Sequence, residues 1–94
     1  MEMSMVMKCE VDDCAYNMDN CCHTTAITIG DSMHPGCDTF CLSTIKGGDI
    51  SKTAGVGACK VSGCKYNTRL ECQAPGISVG YYGQDPDCLT FESR

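Results

Sequence analysis

The sequence predicts a small, β-rich and irregular protein, metal-stapled or disulfide-rich, built from two tandem homologous modules with short antiparallel strands. Three observations predict this class. Ten cysteines stand among 94 residues, the text repeats itself at an offset of 50 places, and the apolar residues alternate with polar ones in short runs rather than at helical spacing. A chain of this length fits one domain but has little interior to bury. It carries four Tyr, two Phe and no Trp. Its cysteine content exceeds the roughly 8–10% that marks a cross-linked or metal-stapled scaffold, so crosslinks are expected to replace core.

The repeat sets Cys9 on Cys59, Val11 on Val61, Cys14 on Cys64, Tyr16 on Tyr66, Asn17 on Asn67, Cys22 on Cys72, Ile27 on Ile77 and Gly30 on Gly80. One extra residue in the second copy then moves the offset to 51, which sets Pro35 on Pro86, Cys37 on Cys88, Thr39 on Thr90 and Phe40 on Phe91. The chain therefore divides into a flexible Met-rich N-terminus (1–7), a first cysteine module (8–41), a Gly-rich linker (42–57) and a second cysteine module (58–94). The linker reading rests on Gly47, Gly48, Gly55 and Gly57 and on the polar residues between them. Each module is shorter than the ~40 residues below which a chain needs metal, disulfides or a partner to fold.

Strands are expected at 26–29 and 76–79, where Ile27 and Ile29, or Ile77 and Val79, share one face, and Gly30 and Gly80 are expected to end them. Residues 8–11 and 39–42, with their counterparts in the second copy, are weaker strand candidates. Asp12 with Asp13, and Ser62 with Gly63, have turn composition. No stretch carries helical periodicity beyond a turn or two.

Four cysteines recur in each module: Cys9, Cys14, Cys22 and Cys37 in the first, and Cys59, Cys64, Cys72 and Cys88 in the second. Four thiolates converging on one point make a tetrahedral site for Zn2+, and four protein ligands leave no open position for substrate. Two zinc ions per chain are expected, with iron as the other ion that suits a four-sulfur tetrahedron. The chain contains no CxxC, which argues against a thioredoxin-like redox site and also departs from the usual zinc knuckle. The alternative is two disulfides per module. The N-terminus lacks the basic and apolar regions of a secretory signal, so a cytoplasmic setting, where thiols bind metal more often than they pair, is expected. No run approaches the ~20 apolar residues of a membrane span. The formal charge of -5 would deepen by two at each four-thiolate site holding a divalent cation, so nucleic acid is not an expected partner.

The shared text CxVxxCxYNxxxxC, followed by an Ile-containing strand that ends in Gly and then by CxTF, resembles the bacterial family described as domain of unknown function 1540. These are short cysteine-rich proteins with one or two copies of the motif, found mainly in anaerobes and spore-formers. The resemblance covers nearly all of residues 8–40 and 58–91 and marks the same eight cysteines as the defining positions. It implies no activity. The first copy departs from the pattern by adding Cys21, Cys41, His23 and His34, so Cys21 or a histidine is an alternative ligand there; the repeat favours Cys22.

The remaining residues have structural readings. Cys21 and Cys41 are read as reduced thiols, with a mutual disulfide as the alternative. His23 and His34 are read as solvated loop residues. Tyr16 and Tyr66, with Phe40 and Phe91, are read as the small core. Asn17 and Asn67 are expected in a turn with positive φ or bonding nearby backbone. Met1, Met3, Met5 and Met7 form a frayed end or a strand with one apolar edge, and a thioether ladder for Cu(I) is the alternative. Glu10 and Asp19 face Lys60 and Arg69 across the repeat, a difference expected to be surface drift unless a pseudo-twofold axis brings them together. The function expected is a non-enzymatic zinc-binding protein whose stapled modules present a surface to an unknown protein partner, as a monomer or weak homodimer. A thiol-based metal buffer or redox sensor, and a disulfide-rich structural protein such as one of a spore layer, are the alternatives. Catalysis is not expected, because the chain offers no nucleophile–base–orienter set and no phosphate-cradling loop.

Overall fold

The computed structural model describes residues 3–30 and 34–94. Among these, the first copy forms β1 (Met5–Cys9), β2 (Asn17–Met18), β3 (Cys21–Cys22) and β4 (Ala26–Ile29); the second forms β5 (Gly55–Cys59), β6 (Asn67–Thr68), β7 (Glu71–Cys72), β8 (Gly76–Tyr82) and β9 (Asp85–Cys88). No described residue is helical. The alternation behind β4 and β8 holds, since Ile27, Ile29, Ile77 and Val79 are all buried. Gly80 does not end β8. It pairs with Asp87 of β9, and its missing side chain leaves room for Leu89, whose Cδ1 would lie 2.8 Å from a Cβ there. The candidates at 39–42 and their counterparts reduce to isolated bridges, Cys14 to Leu42 and Cys64 to Ser93.

Two boundaries move. β1 starts at Met5, so residues 5–7 are strand rather than flexible terminus, because Val6 is 1% exposed and its N–H donates to the Ala54 carbonyl at 2.9 Å. β5 starts at Gly55, so residues 55–57 are strand rather than linker, held by the buried Val56.

β4-β5-β1-β8-β9 form one five-stranded sheet, and two short hairpins, β2-β3 and β6-β7, stand beside it. The equivalent strands β1 and β5 meet antiparallel at its centre, as a twofold relation between the copies requires. Each then takes its other neighbour from the opposite copy. β1 pairs in parallel with β8, setting Val6 on Ile77 and Cys9 on Val79; β5 pairs in parallel with β4, setting Val56 on Ile27 and Cys59 on Ile29. Both registers slip at the same place. The cross-copy hydrogen bonds are reciprocal: Glu10 N–H to Val79 O and Lys60 N–H to Ile29 O, Cys37 N–H to Pro86 O and Cys88 N–H to Pro35 O. The antiparallel expectation describes β1-β5, β8-β9 and the hairpins but not these two parallel pairs. Parallel neighbours need a long crossover; the long stretch of chain between β1 and β8 and the shorter one between β4 and β5 supply it, which a repeat in the text does not reveal.

The two hairpins clip onto the cysteine-bearing ends of the central strands. Their turns place Asp19 and Asn20 at φ 55° and 62°, and Arg69 and Leu70 at φ 53° and 68°, the positive pair of a type I′ turn. Asp and Asn tolerate this conformation; at Arg69 and Leu70 it costs about 1–2 kcal/mol per residue. The turn carbonyls of Asn20 and Leu70 accept the Cys9 and Cys59 N–H groups at 2.9 and 2.8 Å. Asn17 and Asn67 do not occupy the turns. Both side chains are buried and donate through Nδ2 to the Cys9 and Cys59 carbonyls at 2.7 and 2.8 Å.

The segment 42–54 is a strap laid along the first copy rather than a free linker. Gly47, Asp49 and Ala54 donate to the carbonyls of Ala15, His23 and Cys22 at 2.8, 2.9 and 2.9 Å. Gly48, at φ 87°, crosses so close to the His23 carbonyl that a side chain would collide with it. Buried residues of both copies, among them Val6, Val11, Ile27, Ile29, Val56, Val61, Ile77 and Val79, form one continuous cluster.

Two outcomes follow from this interlocking. Asn17→Ala strips the buried Cys9 carbonyl of its side-chain donor and is expected to cost about 1–3 kcal/mol in denaturant unfolding, as is Asn67→Ala. A fragment of residues 3–50 loses the partner strands of both β1 and β4 and is expected to form no folded monomer; light scattering with circular dichroism checks this, and a folded monomeric half contradicts the interlocked core.

Candidate metal centre

Four local devices, each used once in either copy, deliver the eight repeated cysteines. Cys9 and Cys59 end the two central strands, where the hairpin turns and buried asparagines hold their backbone. Cys14 and Cys64 close the turns at 12–13 and 62–63, each donating its N–H at 3.1 Å to the carbonyl three residues earlier, on Val11 and Val61. Cys22 and Cys72 end the second strand of each hairpin. Cys37 and Cys88 are set by the bonds to Pro86 and Pro35 of the opposite copy.

These devices bring each set to one place. Cys9, Cys14, Cys22 and Cys37 line a single cavity of about 20 Å³, walled by Tyr16 and Phe40 and closed from the second copy by Val79 and Pro86. Cys59, Cys64, Cys72 and Cys88 line another of about 20 Å³, walled by Tyr66 and Phe91 and closed from the first copy by Ile29 and Pro35. Cys21 and Cys41 line neither, so the thiols gathered are those the repeat selects. As the side chains stand, all ten cysteines are free thiols, and among the described residues no three Cys, His, Asp or Glu groups are drawn close enough to hold a metal ion.

The environment of the fourth cysteine is the same in both sets. Burial pushes the Cys37 thiol up to about 11 and Cys88 likewise to about 11; backbone N–H groups of Thr39 and Phe40, or Thr90 and Phe91, face the sulfurs and oppose the rise. Neighbouring sulfurs add to it, Cys22 and Cys14 against Cys37, and Cys72 and Cys59 against Cys88. Burial raises Cys22 too, against a Thr24 N–H, and the neighbouring Cys9 and Cys14 sulfurs add to the rise. Each cavity therefore resists holding thiolates without a compensating positive charge and supplies N–H donors to them.

The histidines differ from one another. His23, just after β3, lies against the strap, its Nδ1 2.8 Å from the Lys52 carbonyl. His34 is not simply solvated: its Nδ1 is 2.6 Å from Oδ1 of Asp87, a buried carboxylate of the opposite copy, and its Nε2 lies 3.8 Å from Asp85. That contact was not readable from the text, because it depends on which module lies across the axis. The buried role of Asn17 and Asn67 was also open. Tyr16, Tyr66 and Phe40 pack on the core as expected, while Phe91 is 37% exposed. Glu10 pairs with Lys8 at 2.9 Å. Met1 lies outside the described residues, and Met3, Met5 and Met7 are exposed.

No described helix is long and apolar enough to cross a membrane. No curated protein and no solved structure matches the chain. The profile of the family described as Domain of Unknown Function (DUF1540) matches residues 7–41 and 58–91, segments that each contain one complete cysteine set. With both segments matched, the chain belongs to this family and carries its domain twice in tandem.

Proposed function

We propose that this is a non-enzymatic metal-binding protein in which each four-cysteine set holds one zinc ion. The observation that carries the reading is the convergence of four thiols, from four separate stretches of each copy, on one small cavity. A volume of about 20 Å³ suits a single small occupant. Four thiolates match the preference of Zn2+, and of iron, for a sulfur tetrahedron. N–H groups aimed at Cys37 and Cys88 supply the hydrogen bonds that support such ligands. In this reading the thiols turn inward around the ion, and a filled coordination sphere leaves no place for a substrate, so the metal is structural. Binding energy then adds directly to folding energy, which suits a chain with so small a core.

The surface fits a protein partner better than nucleic acid. The net charge is -5, and Leu42, Ile45 and Ile50 stand exposed on the strap. A reducing compartment, the cytoplasm, is the setting in which eight such thiols stay available.

Native mass spectrometry of the purified protein is expected to show two ions per chain, with all ten cysteines reduced in the denatured mass. Chelator without reductant is expected to unfold the protein, and reductant without chelator to leave it folded. The reverse pattern, with sulfurs paired and no ion, would establish the disulfide scaffold instead. Cys37→Ser is expected to remove one ion and Cys88→Ser the other; more than two ions, taken up stepwise, would mark a metal buffer.

A further inference from the structure

Four thiolates around a divalent ion leave two negative charges at a buried site, in a protein already acidic. The turns presenting Cys14 and Cys64 each carry one cation on their carbonyl side. Lys46 Nζ donates to the carbonyls of Asp12 and Cys14 at 2.8 and 3.0 Å. Arg94 donates through Nε to the Ser62 carbonyl at 2.9 Å and through Nη2 to the Asn67 carbonyl. Asp12 and Ser62 are equivalent positions of the repeat.

The cations themselves are not equivalent. Arg94 corresponds to Ser43: the N–H groups of Ser43 and Arg94 donate to the matching carbonyls of Asp13 and Gly63 at 3.2 and 2.9 Å. Lys46 stands three residues further along, on the strap. Duplication of a module copies its residues together with their positions, so it does not by itself account for one cation arriving on the same turn from two different positions. A shared electrostatic demand does. We infer that Lys46 and Arg94 are positioning residues that act as counter-charges of the two thiolate sites, one for each metal. This rests on the metal reading above. Both side chains reach the turn from exposed residues, so their influence is screened by salt and acts through the cysteine rather than on the ion directly.

The test is chelator competition of the zinc-loaded protein, followed by native mass spectrometry, with cysteine alkylation mapped to tell the sites apart. Lys46→Gln keeps a donor for the turn but removes the charge. It is expected to weaken the first site about tenfold, exposing Cys9, Cys14, Cys22 and Cys37 to alkylation first, while the second site is unchanged. Arg94→Gln is expected to do the converse at Cys59, Cys64, Cys72 and Cys88. Lys46→Arg is expected to retain wild-type affinity, and the deficit of Lys46→Gln to shrink as salt is raised. Wild-type affinity in both Gln variants would overturn the inference and leave the metal reading standing, as would equal weakening of both sites by either variant or a deficit indifferent to salt. A wild-type protein that binds no zinc would overturn both.

Discussion

The structure depends on one shortage: neither copy has enough apolar side chain to close a core of its own. β1 brings Val6 and β4 brings Ile27 and Ile29, and these find their partners not in their own module but in Ile77 and Val79 of β8 and Val56 of β5. Exchanging neighbours this way joins two insufficient clusters into one. The exchange is possible because both copies carry the same strands in the same order, so the backbone bonds from Glu10 to Val79 and from Cys37 to Pro86 recur from Lys60 to Ile29 and from Cys88 to Pro35.

The cysteines belong to that economy before any metal is considered. Cys9, Cys14, Cys22, Cys59 and Cys64 are themselves buried members of the core, where a thiol behaves as a small hydrophobe. The same burial makes a bare thiolate unfavourable at Cys37 and Cys88. A site of this kind favours either the neutral thiol or a thiolate with a cation beside it, and the walls lent by the opposite copy, Val79 and Pro86 on one side and Ile29 and Pro35 on the other, make each cavity a property of the whole chain.

The copies have diverged where the interlock does not constrain them. The first is wrapped by the strap, and its extra residues Cys21, Cys41 and His23 lie outside the cysteine cavity. The second has a longer β8 and a closed β8-β9 hairpin, and its hairpin turn uses Arg69 and Leu70, where the first uses the better suited Asp19 and Asn20. His34 and Asp87 form a contact made once only, since the position equivalent to His34 is Asp85.

Much of this was present in the amino-acid order alone. Period-two alternation marked β4 and the start of β8, the turn composition at 12–13 and 62–63 was met, and the self-alignment separated Cys22 from Cys21 and Cys37 from Cys41, the same separation the cavities make. These are local or repetitive signals, and a repeat reports equivalence directly. What it does not report is adjacency: whether β1 lies beside its own β4 or the other copy's β8 leaves the text unchanged. Only tertiary structure decided that residues 5–7 and 55–57 are strand, that the glycine-bearing segment is a bonded strap, that Asn17 and Asn67 hold the Cys9 and Cys59 carbonyls, and that His34 reaches Asp87. Each of these hangs on a partner far off in sequence, and such partners are chosen by which buried surfaces can close together.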